Sequence, residues 1–347
     1  MNDSFICGVP HVPDHVELAH GGGGRKMRHL LDTTILPAFD NRYCTARHDS
    51  AILTLGSERI AYTTDGYVIS PMFFPGSDIG KLAIFGTVND LAAAGAIPRW
   101  LSVSFILEEG LPMSQLERVV RSMKEAAAVA RVDVVTGDTK VVDRGKGDGL
   151  YVTTSGLGII PPGVDIRPAR VCAGDAVLVT GDIGRHGVAV LSVRNGLTFE
   201  SPIESDCAPL ADMVQALVGR GIDVHCARDV TRGGIAAVLL EIAAAARVEI
   251  AVEEDAIPVV PAVAAACELL GLDVLHVANE GRMALFVSSD EASAALDVLR
   301  GVEVSHNAAL IGRVAAGGKA GAVSLRTRFG PERAIDLPAG EPLPRIC

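Results

Sequence analysis

The fold is decided by the stretch Phe73-Phe-Pro-Gly-Ser-Asp-Ile-Gly-Lys-Leu-Ala-Ile-Phe-Gly-Thr-Val-Asn-Asp-Leu-Ala-Ala-Ala-Gly-Ala96. It predicts a helix over 78–94, with Ser77 as the N-cap and Gly95 as the residue that ends it. Asp90 lies inside this apolar helix, where a charge is costly to bury unless it is paired or bound to a metal. We therefore expect Asp90 to face a functional site.

Strands and helices alternate on both sides of that helix, which is typical of α/β layers. In the first half the sequence predicts helices at 27–36 and 114–130 and strands at 51–55, 60–64, 67–70, 101–107, 132–136 and 150–158. Beyond Pro161-Pro-Gly163 it predicts strands at 176–180, 248–252, 283–288 and 309–314 and helices at 188–193, 208–218, 234–245 and 261–270. We expect an α+β protein with an N-terminal segment (1–40), two domains (41–162 and 163–330) and a flexible tail (331–347).

The composition excludes several classes of protein. The chain has 347 residues, 49% of them hydrophobic and only 4% aromatic, which favours two cores of Ala, Val, Leu and Ile. A net charge of −11 with scattered basic residues argues against a nucleic-acid partner. We find no apolar run of about 18 residues and no secretory signal, so we expect a cytoplasmic protein without a membrane partner.

The chain ends in Leu337-Pro-Ala-Gly-Glu-Pro-Leu-Pro-Arg-Ile-Cys347, where prolines and a glycine exclude a helix. An extended tail would carry the Cys347 thiol at a tip whose approach nothing restricts; the alternative is a frayed terminus whose cysteine has no role. The seven cysteines show no CxxC spacing, so zinc or iron–sulfur binding is poorly supported. We expect most of the others, Cys7 and Cys44 included, to be small core residues.

Several acidic residues stand where a strand or helix is predicted to meet a turn. Asp49, Asp65, Asp90 and Asp138 are the candidate metal ligands, since Mg²⁺ takes carboxylate oxygens together with those of a substrate phosphate. Lys140, close to Asp138, can then contact that phosphate as a point charge. Each aspartate taken alone has the alternative explanation of a turn or cap residue.

A run of four glycines, Gly21–Gly24, precedes the first predicted helix. Backbone N–H groups of such a loop, here those of Gly22 and Gly23, can bind phosphate. The pattern is neither GxGxxG nor a Walker A motif, and a flexible hinge is the alternative.

Several stretches carry a resemblance to a known family. Besides the opening stretch and the glycine run they are Gly137-Asp-Thr-Lys-Val-Val142, Arg228-Asp-Val-Thr-Arg-Gly-Gly234, Val277-Ala-Asn-Glu-Gly281 and the terminal Pro344-Arg-Ile-Cys347. In them the chain resembles the ATP-binding family that includes aminoimidazole ribonucleotide synthetase and selenophosphate synthetase, and within it the hydrogenase maturation factors. Val230 stands where many relatives have proline. The resemblance implies a two-domain aminoimidazole ribonucleotide synthetase-like fold with an extended C-terminal tail.

The first domain is expected to bind ATP and to pair in a homodimer. We expect strands within 50–72 and 101–107 to leave the sheet edge that pairs with the second copy. The resemblance places ATP and Mg²⁺ near that interface. The cofactor-binding candidates are Asp49, Asp65, Asn89, Asp90, Gly137, Asp138, Thr139, Gly22 and Gly23.

The resemblance also implies the reaction, which is the ATP-dependent dehydration of a carbamoyl group on Cys347 to a thiocyanate. This would supply the cyanide ligand of a NiFe hydrogenase. The donor would be a HypF-like carbamoyltransferase and the acceptor a HypC–HypD scaffold complex. The catalytic candidates are Cys347, Glu280, His48 and Lys140.

Some of these roles have structural alternatives. Glu280 and His48 are the candidates for the general base, although a lone Glu or His in a turn is often structural. Arg228 and Arg232 flank Asp229 and precede a double glycine, which suits either anion binding or a simple ion pair.

Two other functions are left open. One is a different ATP-dependent synthetase of the same family that acts on a free small molecule, with an incidental tail. The other is a non-catalytic carrier that only displays Cys347 to partners. Hydrolysis of ATP separates them, because a carrier hydrolyses none and a synthetase needs no tail.

Overall fold

A computed structural model describes residues 15–39, 41–43, 48–197, 199, 202–338, 343 and 345–347. Cys7, Cys44 and residues 339–342 and 344 of the quoted C-terminal stretch lie outside this part of the chain. Within it, no helix is long and apolar enough to cross a membrane.

The secondary structure alternates along the chain. The strands are β1 Ala51–Leu55, β2 Glu58–Tyr67, β3 Phe73–Phe74, β4 Ser77–Asp78, β5 Ile97–Glu108, β6 Asp133–Val142, β7 Leu150–Ile160, β8 Ala176–Val179, β9 Val224–Asp229, β10 Glu249–Glu253, β11 Met283–Val287, β12 Ala309–Ala315, β13 Ala322–Arg326 and β14 Glu332–Ala334. The α-helices are α1 Arg25–Leu30, α2 Leu36–Ala38, α3 Ile79–Ala93, α4 Met113–Ala130, α5 Arg185–Arg194, α6 Ala211–Gly219, α7 Gly234–Ala246, α8 Pro261–Leu270 and α9 Ala292–Arg300. A π-helical segment, Leu31–Ile35, joins α1 to α2, and 3₁₀ turns lie at Leu18–Gly21, Pro168–Arg170, Glu254–Ala256, Val274–His276 and Glu303–Ser305.

In the described part of the first half, five strands form one sheet in the order β1-β2-β7-β5-β6. Its neighbouring strands are antiparallel except β5 and β6, which are parallel and are connected through α4. Helix α3 packs on this sheet and on α4, and it also contacts β9 and α6 of the second half. Because α3 is enclosed by both halves, nearly all of its residues are buried, which explains why its sequence is apolar on every side.

The second half forms a sheet in the order β14-β13-β10-β12-β8-β11-β9 among the described residues. Strand β9 lies at its edge and ends at Asp229, shortly before α7 begins. Gly234 opens α7 with φ +63°, and a Cβ there would lie 2.3 Å from the carbonyl oxygen of Leu275. Only glycine fits this turn, which brings the chain from β9 back into a helix.

The two halves share a core. One cluster of buried apolar side chains includes residues of both sheets, and it also includes Leu343 and Ile346 from the tail. Ile346 is 1% exposed, so the end of the chain lies inside the molecule.

The structure corrects several predicted boundaries. The N-cap of α3 is Asp78, whose side chain accepts hydrogen bonds from the N–H groups of Gly80 and Lys81 at 2.8 and 3.1 Å, whereas Ser77 lies in β4. Residues 68–70 are not a strand, and residues 332–334 form β14 rather than part of an irregular tail.

The largest correction concerns β6. It was predicted to end at Thr136, but it continues through Gly137–Lys140 because these residues pair in register with β5. Strand β5 is consequently internal, and the expectation that 101–107 forms an edge is wrong; the edges of this sheet are β1 and β6.

Candidate active site

Three carboxylates from separate elements meet where the two halves touch. Asp49 precedes β1, Asp90 lies on α3 and Asp229 ends β9, and their ligand oxygens all lie within 4.8 Å of one another. We call these three the carboxylate cluster. The structure thus brings together Asp49 and Asp90, which were predicted as metal ligands, and adds Asp229, which was not.

Hydrogen bonds and an ion pair hold the carboxylate cluster in place. Thr63 on β2 donates to Asp90 Oδ2 at 2.6 Å, and Ser50 donates to the carbonyl oxygen of Asp90 at 2.9 Å. Arg228 Nε lies 2.6 Å from Asp49 Oδ1, so residue 228 of the second half is tied directly to the first half. The predicted alternative for Arg228, an ion pair, is therefore present, but its partners are Asp49 and Glu241.

The electrostatics of the carboxylate cluster favour a cation. Burial, followed by the charges of neighbouring aspartates, raises the pKa of both Asp90 and Asp229 well above the usual range. Burial also raises the pKa of Asp65, against hydrogen bonds that act in the opposite direction. Asp49 Oδ2 is buried and accepts no hydrogen bond. An oxygen set of this kind, with one orphaned atom, fits a hard divalent cation such as Mg²⁺.

A second buried group lies beside the tail. Glu280 is buried with its Oε1 unpartnered, and burial together with Asp229 and Asp206 raises its pKa well above the usual range. His186 Nε2 lies 4.0 Å from Glu280 Oε1 and donates to the carbonyl oxygen of Ile346 at 2.8 Å. Burial lowers the pKa of His186, so the ring is neutral as it holds the residue before Cys347.

The end of the tail is docked. Val68 N–H donates to the Cys347 oxygen at 3.1 Å, and Ser70 N–H donates to the Arg345 oxygen at 3.3 Å. Arg345 in turn donates to the Val68 carbonyl at 2.9 Å and forms an ion pair with Asp148. The prediction of an unrestricted tip is wrong for this conformation, since Cys347 is held against the body and is partly buried.

The glycine run lies next to the docked tail. Gly22 lines a small pocket together with Arg232, Gly233 and the tail residues Leu343 and Ile346. The Arg232 side chain donates to the Gly21 carbonyl at 2.7 Å.

Arg232 also faces the acidic groups. Its charge opposes burial by lowering the pKa of both Asp65 and Glu280. A cationic side chain, a glycine loop and the start of α7 therefore converge on the acidic site, an arrangement that suits a phosphate.

Two predicted site residues have structural contacts instead. His48 Nδ1 accepts from the N–H of Asp49 at 2.8 Å and its Nε2 donates to the Ile166 carbonyl at 2.9 Å, so both ring nitrogens are engaged by backbone. Asn89 donates to the carbonyls of Ala208 and Glu280 at 3.0 and 3.4 Å. Both side chains position their neighbours, and neither has a free polar atom directed at a substrate.

A further group of predicted residues lies on β6, apart from the carboxylate cluster. Asp138 and Lys140 form an exposed ion pair, and the N–H of Thr139 donates to Asp138. Asp138 on β6 pairs with Ser104 on β5, and Ser104 is aligned through β7 with Gly66 on β2. Asp138 is therefore three strand spacings, about 14 Å, from Gly66.

Gly137 of the same strand is required by packing. A Cβ at this position would lie 2.2 Å from the carbonyl oxygen of Val103 on the neighbouring β5. Its role in the structure is therefore the close pairing of β6 with β5, and within one chain it does not reach the carboxylate cluster.

Sequence reasoning missed two residues of the site. Asp229 was considered only as a neighbour of two arginines, although an acidic residue between a strand and a glycine-led helix is a signal that could have been used. His186 gave no signal, because it lies in the first turn of α5 and the Ile346 carbonyl that it contacts is 160 residues away in the chain.

Known protein families match the two halves of the chain separately. Models of the AIR synthase related protein family match its N-terminal domain at residues 47–160 and its C-terminal domain at residues 173–324. The chain is 48% identical over 333 residues to carbamoyl dehydratase HypE of Rhizobium leguminosarum bv. viciae, covering 96% of this chain and 95% of that one.

Two solved structures are similar in both fold and sequence. A HypE in complex with ATP matches with a TM-score of 0.81 and 44% identity, covering 96% of this chain and 100% of that one. The chain of a HypE–HypF complex matches with a TM-score of 0.84 and 42% identity, covering 89% of this chain and 99% of that one.

Proposed function

This chain belongs to the HypE family of carbamoyl dehydratases within the AIR synthase related proteins, and from that premise we propose that it uses ATP to dehydrate a carbamoyl group on Cys347 to a thiocyanate. Its role is in the maturation of NiFe hydrogenase, which takes the resulting cyanide. The observation that carries the proposal is the hydrogen bond from His186 to the Ile346 carbonyl, which holds the residue before Cys347 next to buried Glu280.

The reaction needs a leaving group and a base. The carbamoyl oxygen attacks the γ-phosphorus of ATP, ADP leaves, and the carbamoyl nitrogen loses its first proton to solvent. The second N–H proton then goes to a base as the C–O bond breaks and phosphate departs, which leaves S–C≡N on the cysteine. The departing phosphate takes up one proton, so the sum is one S-carbamoyl cysteine and one ATP giving one thiocyanate, one ADP, one hydrogen phosphate and one proton.

Glu280 is the base in this proposal. Its carboxylate has a raised pKa and an unpartnered oxygen, so in its ionised form it is more basic than an ordinary glutamate. Neutral His186 donates its Nε2–H to the Ile346 carbonyl and accepts at Nδ1 from the Ser205 hydroxyl at 2.9 Å, so neither ring nitrogen is available as a base. His48 is excluded from the role by its two backbone hydrogen bonds.

ATP would occupy the space bounded by the glycine run, Arg232 and the carboxylate cluster. Asp49, Asp90 and Asp229 would hold Mg²⁺, with Asp65 beside them. The metal supplies charge neutralisation at the transferring phosphoryl group. Arg232 and the N–H group of Gly22 would bind phosphate oxygens directly, whereas the Gly23 N–H donates to Met27 Sδ at 3.2 Å.

A homodimer would complete the site. Strand β6 is exposed on both faces and carries apolar residues, among them Val135, which is 60% exposed, and Val141, which is 66% exposed. An exposed apolar edge strand of this kind aggregates unless another surface covers it. We assign that cover to a second copy, so that the partner subunit's Lys140 reaches the phosphates that this chain's own Lys140 cannot.

The position of the tail indicates how partner proteins would reach Cys347. A docked Cys347 is held against the body, so the tail must leave its site to receive a carbamoyl group from a HypF-like carbamoyltransferase and to pass cyanide to a HypC–HypD scaffold. The few hydrogen bonds that dock the tail end are compatible with such exchange, because each contributes only about 0.5–1.5 kcal/mol.

Mass measurement of Cys347 tests the proposal. After incubation with a carbamoyl donor, the intact chain should gain one carbamoyl group, and addition of ATP and Mg²⁺ should then remove one water from that adduct. Return to the mass of the free thiol would mean hydrolysis and would refute the proposal. ATP turnover that persists without Cys347 would favour a free-substrate synthetase, and an absence of turnover would favour a carrier.

A further inference from the structure

The second half carries another cluster of metal-binding side chains, which the proposed reaction does not use. Cys172 Sγ, a carboxylate oxygen of Asp175 and a ring nitrogen of His225 all lie within 4.8 Å of one another. His225 is near the start of β9 and Asp229 is its last residue, so this cluster lies roughly 13 Å along the strand from the carboxylate cluster.

The backbone already arranges these three groups around one point. Asp175 is buried in the turn before β8, and its Oδ2 accepts from the N–H of Cys172 at 3.0 Å and from Nδ1 of His225 at 2.9 Å. The Cys172 thiol donates to Asp175 Oδ1 at 3.3 Å. The turn therefore places sulfur, oxygen and nitrogen side by side without any rearrangement of the chain.

We propose that Cys172, Asp175 and His225 bind a zinc ion. Thiolate, carboxylate and imidazole are the ligand types of zinc, and bond lengths of 2.0–2.3 Å put tetrahedral ligand atoms about 3.3–3.8 Å apart. The contacts of 2.9 and 3.3 Å are close to that spacing. Cys172 is exposed, so water takes the fourth position.

The other side of the His225 ring supports the same assignment. Asp223 Oδ2 lies 3.6 Å from His225 Nε2, so a carboxylate faces the ring nitrogen that would not bind the metal. Metal-bound histidines almost always have such a partner, because it fixes the tautomer that leaves the other nitrogen free to coordinate. Arg170 donates two hydrogen bonds to Asp223, at 2.9 and 2.6 Å, which hold this carboxylate in place.

The charges around Cys172 favour a cation over a reactive thiolate. The Cys172 thiol already directs its hydrogen at a carboxylate oxygen of Asp175, 3.3 Å away, and a bound cation would take the place of that proton. The positive charge of Arg170 is offset by its pairing with Asp223.

A zinc ion here would also join elements that are not neighbours. Strand β11 lies between β8 and β9, so the cluster links the turn before β8 to β9 across it. The ion would therefore have a structural role, and its binding would raise the melting temperature of the chain.

Cobalt substitution tests the site in the full chain. With the carboxylate cluster saturated by Mg²⁺, one equivalent of Co²⁺ should give the near-ultraviolet thiolate-to-cobalt band of a tetrahedral site, and Zn²⁺ should abolish it. Cys172→Ser should lose the band, while Cys347→Ser, a control that removes a partly exposed thiol outside the cluster, should keep it. Asp223→Asn should weaken zinc binding 10–100-fold, the usual effect of removing such a partner.

The same variants give a readout that does not depend on colour. Zn²⁺ should raise the melting temperature of the wild-type chain and of Cys347→Ser but leave that of Cys172→Ser unchanged. If Cys172→Ser folds poorly, His225→Gln provides the second test of the loss. An absent band in the wild-type chain, or a band that survives in Cys172→Ser and is lost in Cys347→Ser, would overturn the assignment.

Discussion

The carboxylate cluster and strand β6 carry similar residues in opposite surroundings. Burial, followed by neighbouring aspartates, raises the pKa of Asp90, whereas the hydrogen bond from exposed Lys140 is the main cause that lowers the pKa of Asp138. The carboxylate cluster therefore places negative charges in a buried site, where they are costly. On β6 the negative charge of Asp138 is exposed to water and is also paired with Lys140. In the carboxylate cluster, burial makes a bound cation favourable in addition to the Arg228–Asp49 ion pair, whereas the carboxylate on β6 is already paired with Lys140.

This difference indicates what each region is for. An exposed ion pair is screened by solvent and contributes little to folding stability, so the fold does not depend on the Asp138–Lys140 pair. The apolar residues of β6 on either side of it, such as Val135 and Val141, are exposed as well. We infer that β6 binds a second copy of the chain, whereas the carboxylate cluster binds a ligand.

The largest effect is expected from Glu280→Gln, which removes the proposed base from the buried site. Loss of a general base typically slows proton transfer by about 10²–10⁴-fold, so conversion of the carbamoyl adduct to thiocyanate should fall by that factor, as followed by mass spectrometry. Glu268→Gln, on the exposed face of α8, is the matched control and should leave the rate unchanged.

The pH dependence gives an independent check. A base must be ionised, and the pKa of Glu280 is raised, so the rate should increase with pH through a value above the ordinary 4.5. Glu280→Gln should remove this limb of the profile. A limb at the ordinary glutamate pKa, or one that survives in the variant, would exclude Glu280 as the base.

Local sequence signals predicted helix α8 best, whereas α9 was not predicted at all. Helix α8 begins and ends as predicted, because Pro261 suits its first turn and Gly271 adopts the left-handed conformation, φ +66°, that ends it. Strand β6 shows the opposite case. Gly137–Lys140 has the composition of a turn, but pairing with β5 over this whole segment overrides that preference, which no local pattern reports.

The site was predicted in part for the same reason. Asp90 was found because a charge in an apolar helix conflicts with its local surroundings, which is visible in sequence. The convergence of Asp229 on it depends on how the two halves pack, and the docking of Cys347 depends on His186, far away in the chain. Tertiary contacts of this kind leave no local trace, so burial of the tail could not be predicted.

Mixing two inactive variants tests whether β6 acts on its own chain or on a second copy. Lys140→Met and Glu280→Gln should each be inactive as homodimers. In a mixed dimer one site has both substitutions, and the other combines intact Glu280 with the partner subunit's Lys140. Subunit exchange should therefore restore roughly a quarter of wild-type activity, because half of the dimers are mixed and each has one intact site.

The opposite outcome of the mixing experiment would place Lys140 in the site of its own chain. If Lys140 acts within its own chain, every site in the mixed dimer lacks one residue and mixing restores nothing. Val135→Lys should meanwhile disfavour the dimer, as measured by sedimentation at micromolar concentration, because it places a charge on the exposed apolar strand. A chain that is monomeric and fully active would refute the role assigned to β6.

A smaller effect is expected from Asp90→Asn in the carboxylate cluster. The amide keeps the shape and can still interact with Thr63, so the fold should persist, but one anionic ligand is lost. ATP turnover should fall at least tenfold, about 1.4 kcal/mol in the barrier, and the dependence on Mg²⁺ concentration should shift upward. Asp255→Asn, at an exposed position, is the control; unchanged turnover of Asp90→Asn at saturating Mg²⁺ would remove Asp90 from the site.

The smallest effect concerns the contact that holds the tail in the buried site. His186→Ala removes the hydrogen bond to the Ile346 carbonyl, which contributes about 0.5–1.5 kcal/mol, so the undocked population of the tail should rise about 2–12-fold. Alkylation of Cys347, followed by peptide mass mapping, should accelerate by the same factor, because the thiol is partly buried only while the tail is docked. His306→Ala, at an exposed histidine, should not change that rate, and His186→Gln, which keeps a donor, should change it less than His186→Ala. Equal alkylation rates in His186→Ala and the wild-type chain would mean that the remaining contacts, among them the hydrogen bonds from Val68, Ser70 and Arg194, are sufficient to dock the tail without His186.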